Sequence, residues 1–437
     1  MNACRKGNKK GTTTIFLCMI LSSLLLLIGI FGEAAAGIAS RSYANSVFDL
    51  AGRSILSEYD RSLKSRYGIF GLLMEEDVIE ARLSDYVEES FHTGYGKTRL
   101  LPLTLVDVRV DLSEQVMTNP ELLKQQIMDH MSYRAFFDVM HVLDALKFLD
   151  EGEEQKAISD EPEKPAIKKM RTLRNGKVIR ELPSRLLQGL DGGFKSLLEL
   201  PLPGEMHQIA YNELCLNLYI VKYFRHDLDK TQWNNTFFSN EVEYILCGRL
   251  SDEANHNLVY LSLLAYRTIV NAAHIYSDAQ KWEAVTLAAS LAGGGVATPA
   301  GQAAIAGVWA GAEAANDMKR LYDGRRVPLI KTADDWVLDL TNALDGNMNS
   351  GTESTEENEG LRYEDYLFLL LCFKDDESKL IRIMDLIQLN IKGDTNEDFS
   401  MSRCVSGFRF QSTVARKTGF PGVLSHRRGE FTGIHIY

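Results

Sequence analysis

The sequence predicts a mainly helical α+β protein in which an N-terminal transmembrane helix carries an exported domain. Three observations lead to this prediction. An uncharged apolar run lies near the N-terminus, helical periodicity fills most of the chain, and strand patterns occur only near the two ends of the part that follows. A small antiparallel sheet, formed where those two ends meet, explains this distribution.

The apolar run extends from Thr12 to Gly32. At about 1.5 Å per residue, a helix of this length crosses the ~30 Å hydrocarbon core of a bilayer. Basic residues precede the run, so the positive-inside rule predicts a cytoplasmic tail (residues 1–11) and an exported remainder (33–437) in a single-pass cell-membrane protein. The topology residues are Arg5, Lys6, Lys9 and Lys10, and the anchor side chains include Ile15, Phe16, Leu24, Leu27 and Phe31.

Processing of the N-terminus stays open. Ala34 to Ala36 offers an A-x-A signal-peptidase site, but the apolar run exceeds the ~7–15 residues usual in a signal peptide. Gly11 matches a prepilin cleavage glycine, yet Phe16 stands where pilins usually carry Glu. Cys18 begins the apolar run instead of following it, which excludes a lipoprotein anchor. A retained anchor is therefore predicted, with cleavage at Gly11 or Ala36 as the alternatives.

An apolar residue recurs every four positions after the anchor, at Val47, Ala51, Ile55, Tyr59 and Leu63. This spacing predicts an amphipathic juxtamembrane helix over residues 33–66, either as one helix or as two nearly collinear ones. Its apolar face must contact the exported domain or a neighbouring subunit.

The exported domain, residues 67–437, is predicted to be helical between strands near its ends. Residues 67–74 form a strand or turn, and 103–112 form a half-buried strand with Val106, Val108 and Val110 on one face. Further strands are predicted within 405–414 and 431–437, and mobile loops at 151–169 and 346–360. Helices are predicted from Asn119 onward and at about 206–225, 239–249, 252–275, 278–292, 300–322, 333–345, 362–373 and 377–391.

Composition narrows the functional classes. The formal net charge is −11 and no basic stripe is visible, which argues against a nucleic-acid partner and against a polybasic lipid-binding surface beyond the N-terminal tail. Four cysteines of the exported part, Cys215, Cys247, Cys372 and Cys404, allow three pairings that the sequence leaves open. Cys215 and Cys372 lie in apolar helical runs, which favours buried free thiols.

The Gly/Ala-rich segment 287–315 is predicted to form two tightly packed helices joined by GGGVATP. Gly307 and Gly311, four residues apart, are expected to permit close backbone approach. A phosphate loop is excluded because no Gly-Lys-Ser/Thr follows the glycines. A second membrane span is disfavoured because Ala and Gly contribute little to insertion.

Polar residues on otherwise apolar helices are the candidate site. Spacings of four place Arg267 with Asn271, and Glu313 with Asp317, on single helix faces. A buried ion network that fixes helix register is the favoured interpretation, because buried charges must be paired. Acid–base chemistry, or a metal site that includes His274, is the alternative. The candidate residues are Glu243, Arg267, Asn271, Glu313, Asp317 and Lys331.

No catalytic motif is present. The histidines show neither H-x-x-x-H nor HExxH spacing, and G-x-S-x-G and S-x-x-K are absent. We therefore predict no catalytic residue, no metal, no cofactor and no small-molecule substrate.

Seven segments of the chain together form a specific pattern. They are GTTTIFLCMILSSLLLLIGIFGEAA (11–35), ILSEYDRSLKSRYGIFGL (55–72), LLKQQIMDHMSYRAFFDV (122–139), NEVEYILCGRLSDEANH (240–256), AEAANDMKRLYDGRRVPLIKT (312–332), LRYEDYLFLLLCF (361–373) and SKLIRIMDLIQLNI (378–391). On these segments the chain resembles an uncharacterised family of Gram-positive bacterial membrane proteins, classed as a domain of unknown function, whose genes accompany tight-adherence (Tad) pilus or type II secretion-like clusters. The resemblance implies a single-pass anchor with an exported domain that serves as a TadE/TadG-like accessory component, and it implies no catalytic residue.

Three functional hypotheses follow. The first is a structural, membrane-anchored component of a Tad-like pilus or type II secretion-like apparatus, with the bilayer and apparatus proteins as partners. The second is a surface sensor or binding module that acts alone. The third is an ectoenzyme that uses Glu313 and Asp317. The direct partner and the oligomeric state stay open.

Overall fold

A computed structural model of the protein describes residues 10–93, 102–131, 208–229, 236–332, 335–346, 360–417 and 426–437. The described chain is mainly helical and contains one three-stranded antiparallel sheet, so the predicted fold class is confirmed. The predicted loop 151–169, most of the predicted loop 346–360 and the part beyond residue 131 of the helix predicted from Asn119 lie outside the described residues.

We number the described elements in chain order. The helices are α1 (Lys10–Leu56), α2 (Arg61–Tyr67), α3 (Glu76–Thr93), α4 (Pro120–Met131), α5 (Gln208–Tyr223), α6 (Glu241–Cys247), α7 (Asp252–Ser277), α8 (Ala279–Ala292), α9 (Pro299–Tyr322), α10 (Leu340–Leu344), α11 (Tyr363–Cys372) and α12 (Asp376–Asp394). The strands are β1 (Leu103–Asp111), β2 (Gly407–Lys417) and β3 (His426–Ile436).

The chain divides into two compact units. Unit 1 contains α1, most of α2, α3 and the sheet, and comprises Met1–Ser65, Phe70–Leu122 and Phe399–Tyr437. Unit 2 comprises Arg66–Ile69 and Leu123–Asp398 and is helical in its described part.

Helix α1 is 47 residues long, or roughly 70 Å, and changes its surroundings along its length. Its large apolar residues from Ile15 to Phe31 are exposed, whereas Val47, Phe48 and Ile55 are buried in the core of unit 1. The first part is a candidate membrane span by length and composition. A single helix therefore includes both the exposed apolar segment and a core element of the sheet-containing unit.

The predicted juxtamembrane helix does not run on to Arg66. Helix α1 ends at Leu56, and α2 begins at Arg61. Asp60 lies between them, and its carboxylate accepts a hydrogen bond from the N–H of Leu63 at 2.8 Å, as a helix N-cap does. The four-residue stripe predicted across this region thus belongs to two helices and the turn between them.

The sheet of unit 1 has the order β1-β2-β3. Strand β1, which comes before most of the helices of the chain, pairs with β2 near the C-terminus, as expected. The core lies between one sheet face and helices α1 and α3. Phe48 of α1 stacks on Phe410 of β2, with ring centroids 5.0 Å apart.

One detail of the strand prediction is wrong. Val106 does not share the buried face of Val108 and Val110, and it is 49% exposed. The pairing register of β1 shifts between Leu105 and Asp107, so Val106 has no partner in the ladder. A bulge inserts one extra residue into the strand. The side chains on one side of the bulge therefore point to the opposite face from the one that strict alternation predicts.

Helix α3 was not predicted from the sequence. Ile79, Leu83, Val87 and Phe91 recur every four residues and are buried in unit 1. Glu76 and Asp77 lie in the first turn, where negative charge stabilises a helix N-terminus. The sequence therefore contains the four-residue period of this helix, between the predicted strand segments 67–74 and 103–112.

In unit 2 the N-terminal ends of five helices are fixed by capping side chains. Side-chain oxygens at the N-caps accept hydrogen bonds from backbone N–H groups two or three residues on, which satisfies donors that the first turn leaves free. The capping residues are Ser251 for α7, Asp278 for α8, Thr298 for α9, Asp339 for α10 and Asp375 for α12.

Helix α7 also meets the length and composition criteria for a membrane span. Its buried residues recur every four positions along one face, which is the pattern of a core helix with one buried side. They are Asn255, Val259, Leu263, Arg267, Asn271 and Ile275. We therefore treat α7 as part of the core of unit 2.

The Gly/Ala-rich segment forms two helices, α8 and α9, joined by Gly293–Thr298. Gly294 and Gly295 have positive φ angles, which side chains other than glycine rarely adopt. The expected role of Gly307 and Gly311 is wrong, because a Cβ added at either position meets nothing within 4 Å. Ala289 and Ala306 are the buried small residues of the two helices, and Gln302 of α9 donates a hydrogen bond to the Thr286 hydroxyl of α8 at 2.9 Å.

Candidate functional site

Five of the six predicted site residues come together in unit 2. Arg267 and Asn271 lie on α7, Glu313 and Asp317 on α9, and Lys331 on the segment that follows α9. The side chains of all five are buried. We call this set the Arg267 cluster.

Asp317 is at the centre of the Arg267 cluster. Its Oδ2 accepts hydrogen bonds from Arg267 Nη2 at 2.8 Å, Arg267 Nε at 3.0 Å and Asn271 Nδ2 at 3.1 Å. Its Oδ1 lies 2.6 Å from Lys331 Nζ. Burial raises the pKa of the Asp317 carboxyl, but the two cations outweigh burial and hold this pKa below its usual value. Asp317 is therefore an ionised, paired carboxylate.

Glu313 connects the cluster to the backbone of the following segment. Its carboxylate accepts the N–H of Val337 at 3.1 Å and the N–H of Leu338 at 2.9 Å, and it forms an ion pair with Lys331. These contacts keep residues 336–338 from being helical. Of the helix predicted for 333–345, only α10 is helical in the structure. The shorter helix corrects that prediction.

The Arg267 guanidinium completes the network. Its Nη1 donates to the carbonyl oxygens of Pro328 at 2.8 Å and Leu329 at 2.9 Å, and to the Tyr366 hydroxyl at 3.1 Å. Arg267 thereby joins α7, α9, α11 and the 327–331 segment. Two cations offset two carboxylates, and the buried charges have hydrogen-bonding partners, as stable buried charges require.

The geometry of the Arg267 cluster suits a structural role. Acid–base catalysis needs a group within hydrogen-bond reach of a bound substrate. Glu313 and Asp317 have no exposed surface and contact neighbouring protein groups. His274 is not among the contacts of the cluster, and its ring stacks on Trp336 with centroids 5.2 Å apart.

The sixth predicted residue, Glu243, lies apart from the Arg267 cluster. It belongs to α6, and its Oε1 accepts hydrogen bonds from the Tyr363 hydroxyl at 2.8 Å and the N–H of Asp227 at 3.0 Å. Burial raises the pKa of Glu243 from 4.5 to about 7. Unlike Asp317, Glu243 has no cation among its hydrogen-bonding partners that offsets the cost of burial.

Several titratable groups surround Glu243. His256 Nδ1 lies 2.9 Å from Asp227 Oδ2, and its ring contacts Tyr322 with centroids 5.4 Å apart. His226 Nε2 lies 3.8 Å from Glu364 Oε2. Burial lowers the pKa of His226, although Glu364 opposes the change. The Glu243 environment can therefore bind or release a proton near neutral pH, which is a property often found at functional sites.

Sequence reasoning missed a third buried polar group, around Lys379. Lys379 Nζ donates to Asn217 Oδ1 at 2.8 Å and lies 2.6 Å from Asp376 Oδ1. A signal was present, because Lys379 precedes the buried Ile383 and Ile387 at intervals of four on the same face of α12. A cation in such a stripe predicts a buried partner but does not identify it.

Unit 1 has an open groove of about 760 Å³ between α3 and the segments near residues 112 and 403. Its lining combines apolar residues such as Leu112 and Val405 with the charged residues Glu75, Glu76, Asp77, Glu80 and Arg403. Arg403 Nη2 donates to Glu75 Oε1 at 2.9 Å. The groove is wide and open, unlike the enclosed clefts that bury most of a small molecule.

Within the described ranges, no group of three or more His, Cys, Asp or Glu side chains is arranged to bind a metal. The described cysteines Cys18, Cys215, Cys247, Cys372 and Cys404 are free thiols. Burial raises the pKa of Cys404 to about 12 and that of Cys372 to about 11, so both thiols are unreactive.

The predicted anchor residues Ile15, Phe16, Leu24, Leu27 and Phe31 lie on α1 and are all exposed. Exposure of large apolar side chains over this length is costly in water and favourable in lipid. Among the topology residues, Lys10 is the first residue of α1, and Arg5, Lys6 and Lys9 lie outside the described residues.

Comparison with known proteins gives a family but no activity. The model of a family of unknown function (DUF5702) matches residues 167–416. No curated protein and no solved structure matches the chain.

Proposed function

The chain belongs to DUF5702, a family of unknown function, and from this premise we propose that it is a structural component anchored in the cell membrane. In this proposal α1 crosses the bilayer once, residues 1–11 are cytoplasmic, and the domain from residue 33 onward is outside. The partners are the bilayer and the proteins of a Tad-like pilus or type II secretion-like apparatus.

One observation carries the proposal. Helix α1 is continuous from its exposed apolar segment into the buried core of unit 1, where Phe48 stacks on Phe410. Displacing the anchor segment therefore displaces a core element of unit 1, without a flexible linker between them. Such a connection suits a protein that holds an exported domain in a fixed orientation to a membrane.

Two further features support a structural role. Five of the six predicted site residues form the charge-balanced Arg267 cluster, and the sixth, Glu243, is buried apart from it. The carboxylates of Glu243, Glu313 and Asp317 are not exposed to solvent. This geometry gives no support to the ectoenzyme hypothesis that uses Glu313 and Asp317. The proposal that the partner is a pilus or secretion apparatus is supported only by the resemblance of the sequence segments.

The test is purification of the full chain from its own membranes after cross-linking in cells and mild solubilisation. We expect mass spectrometry to find pilus or secretion-apparatus proteins with the chain, and not with a cross-linked single-pass membrane protein of similar abundance. Recovery of the chain without any such protein contradicts the proposed partner.

The proposed anchor has a separate test, N-terminal sequencing of the mature protein. A start at Met1 or Asn2 indicates a retained anchor. A start at Thr12 indicates pilin-like processing, and a start at Gly37 indicates a cleaved signal peptide, which contradicts the anchor.

A sensor that acts alone is the second candidate, and the environment of Glu243 favours it. A buried carboxyl whose pKa is about 7 changes charge in the range where surface pH varies. If E243Q alters a cellular response to external pH while the cross-linked partners are unchanged, the sensor is favoured.

A further inference from the structure

The membrane-facing end of the sheet lies beside the point where α1 leaves its apolar segment. Arg416, near the end of β2, forms an ion pair with Glu33 of α1. A side chain at Gly37 would come within 4.0 Å of Arg416 Nη2. Two contacts therefore place the end of β2 next to residues 33–37.

Residues 33–37 lie at a definite depth if α1 spans the bilayer. The uncharged run ends at Gly32, and Glu33 is the first charged residue after Lys10. At about 1.5 Å per residue, residues 33–37 rise roughly 6 Å along the helix. The polar layer on each side of the ~30 Å hydrocarbon core is about 5–8 Å thick. Arg416 is therefore at the depth of the lipid headgroups.

The same end of the sheet carries three exposed cations, Lys417 at the end of β2 and Arg427 and Arg428 at the start of β3. In the ladder, Arg427 is opposite Arg416, and Arg428 is opposite Ala415. The cations are ten residues apart in the sequence, which is why the chain shows no polybasic run. Antiparallel pairing brings them together, contrary to the expectation drawn from net charge.

One pair in this arrangement is unfavourable, because Arg427 lies directly opposite Arg416. Like charges directly opposite each other in antiparallel strands destabilise the pair. Glu33 offsets only Arg416, and Glu430, the nearest acidic residue along β3, is opposite Thr413, two positions beyond Ala415. Phosphate groups at headgroup depth would offset the remaining positive charge.

We propose that Lys417, Arg427 and Arg428 bind the phosphates of anionic phospholipids in the outer leaflet, which holds the end of the sheet against the membrane. The inference rests on the proposed membrane anchor. It adds a second attachment between unit 1 and the bilayer, and it names an anionic headgroup as the ligand.

The test uses the full chain reconstituted in phosphatidylcholine bilayers. Electron spin resonance measures its preference for spin-labelled phosphatidylglycerol over spin-labelled phosphatidylcholine. The variant is K417Q/R427Q/R428Q, which leaves the Glu33–Arg416 pair intact. The control, R53Q/R109Q/R403Q, removes three exposed cations of unit 1 that lie farther along α1, β1 and the segment before β2.

Each cation at an anionic surface is worth about fivefold in affinity. We expect the lipid preference of the K417Q/R427Q/R428Q variant to fall at least fivefold, while the control keeps the wild-type preference. Equal preferences in wild type and both variants overturn the inference but leave the anchor standing. Release of the wild-type chain from the bilayers by an alkaline wash overturns the proposed anchor and this inference with it.

Discussion

Asp317 Oδ1 lies 2.6 Å from Lys331 Nζ, and neither side chain has any exposed surface. This pair links helix α9 to the segment after it, and Asp317 also binds Arg267 of α7. A buried pair of this kind adds little stability relative to apolar residues, but removal of one partner leaves an uncompensated charge.

The first prediction concerns Lys331. Substitution with Met removes the cation that faces both Asp317 and Glu313, and we expect the free energy of unfolding to fall by about 3–5 kcal/mol. Guanidinium unfolding of the detergent-purified chain, followed by tryptophan fluorescence, measures the change. The matched control is Arg53→Met, which breaks an exposed pair with Asp49 and should cost at most about 1 kcal/mol. Similar losses in the two variants would contradict the role of the cluster.

The second prediction is a pH dependence that comes from Glu243. Its folded-state pKa is raised from 4.5 to about 7, so the folded protein favours the protonated carboxyl. The stability that this preference contributes is fully present below pH 4.5 and is lost as pH rises through about 7. Above pH 7 the charged Glu243 therefore costs about 3 kcal/mol relative to its protonated form.

Substitution with Gln imitates the protonated carboxyl and keeps an oxygen acceptor for Tyr363 and Asp227. We expect E243Q to raise the melting temperature at pH 8 and to change it little at pH 4.5. E253Q, at an exposed site of α7, serves as the control, and its melting curve should follow the wild type at both pH values. If the difference in melting temperature between E243Q and the wild type is the same at pH 8 and at pH 4.5, the pKa of Glu243 is not raised.

The third prediction compares two neighbouring positions of α1. Phe48 is 2% exposed and stacks on Phe410, whereas Leu50 is 63% exposed. Phe48→Ala should reduce the free energy of unfolding of unit 1 by about 3–5 kcal/mol, because it leaves a cavity between α1 and the sheet. Leu50→Ala should change it by less than about 0.5 kcal/mol.

Hydrogen exchange of the β2 amides, measured by mass spectrometry, reports this difference. The amides of β2 should exchange faster in the Phe48 variant and at the wild-type rate in the Leu50 variant. Unchanged β2 protection in both would mean that α1 is not needed to hold the sheet.

The fourth prediction concerns the thiols. Burial raises the pKa of Cys404 to about 12 and those of Cys247 and Cys372 to about 11, so thiolate is scarce at neutral pH. A membrane-impermeant maleimide should label these residues slowly in the native chain and fast after denaturation. Ser57→Cys, on an exposed turn, provides a fast-labelling control in the folded state. A loss of 2 Da in the intact mass of the oxidised chain would instead reveal a disulfide.

Local patterns in the sequence were sufficient for much of the fold. The predicted helix 252–275 corresponds to α7 (Asp252–Ser277), and the predicted helix 377–391 corresponds to α12 (Asp376–Asp394). The capping residues Ser251 and Asp375 define the N-terminal ends of these helices through contacts within three residues, so a single sequence contains the information.

The candidate site was only partly predictable. Helical spacing predicts that Arg267 and Asn271 share one helix face and that Glu313 and Asp317 share another. Spacing does not show that these two faces contact each other. Lys331 joins them through the path of the chain after α9. Glu243 is not part of the cluster, because its carboxylate accepts hydrogen bonds from Tyr363 and Asp227 instead. Lys379 was missed because one cation in an apolar stripe does not name its partner.

The sequence by itself determined the long apolar segment near the N-terminus, the helical character of the chain and the strands near both ends, because these depend on composition and on neighbours within a few residues. Tertiary structure decided which charges meet, and it also decided the exposed position of Val106 and the open surroundings of Gly307. The same holds for the cations at the end of the sheet, which are separated in sequence and adjacent only after β2 and β3 pair. Contacts between distant segments depend on how helices and strands pack, and no local pattern encodes that choice.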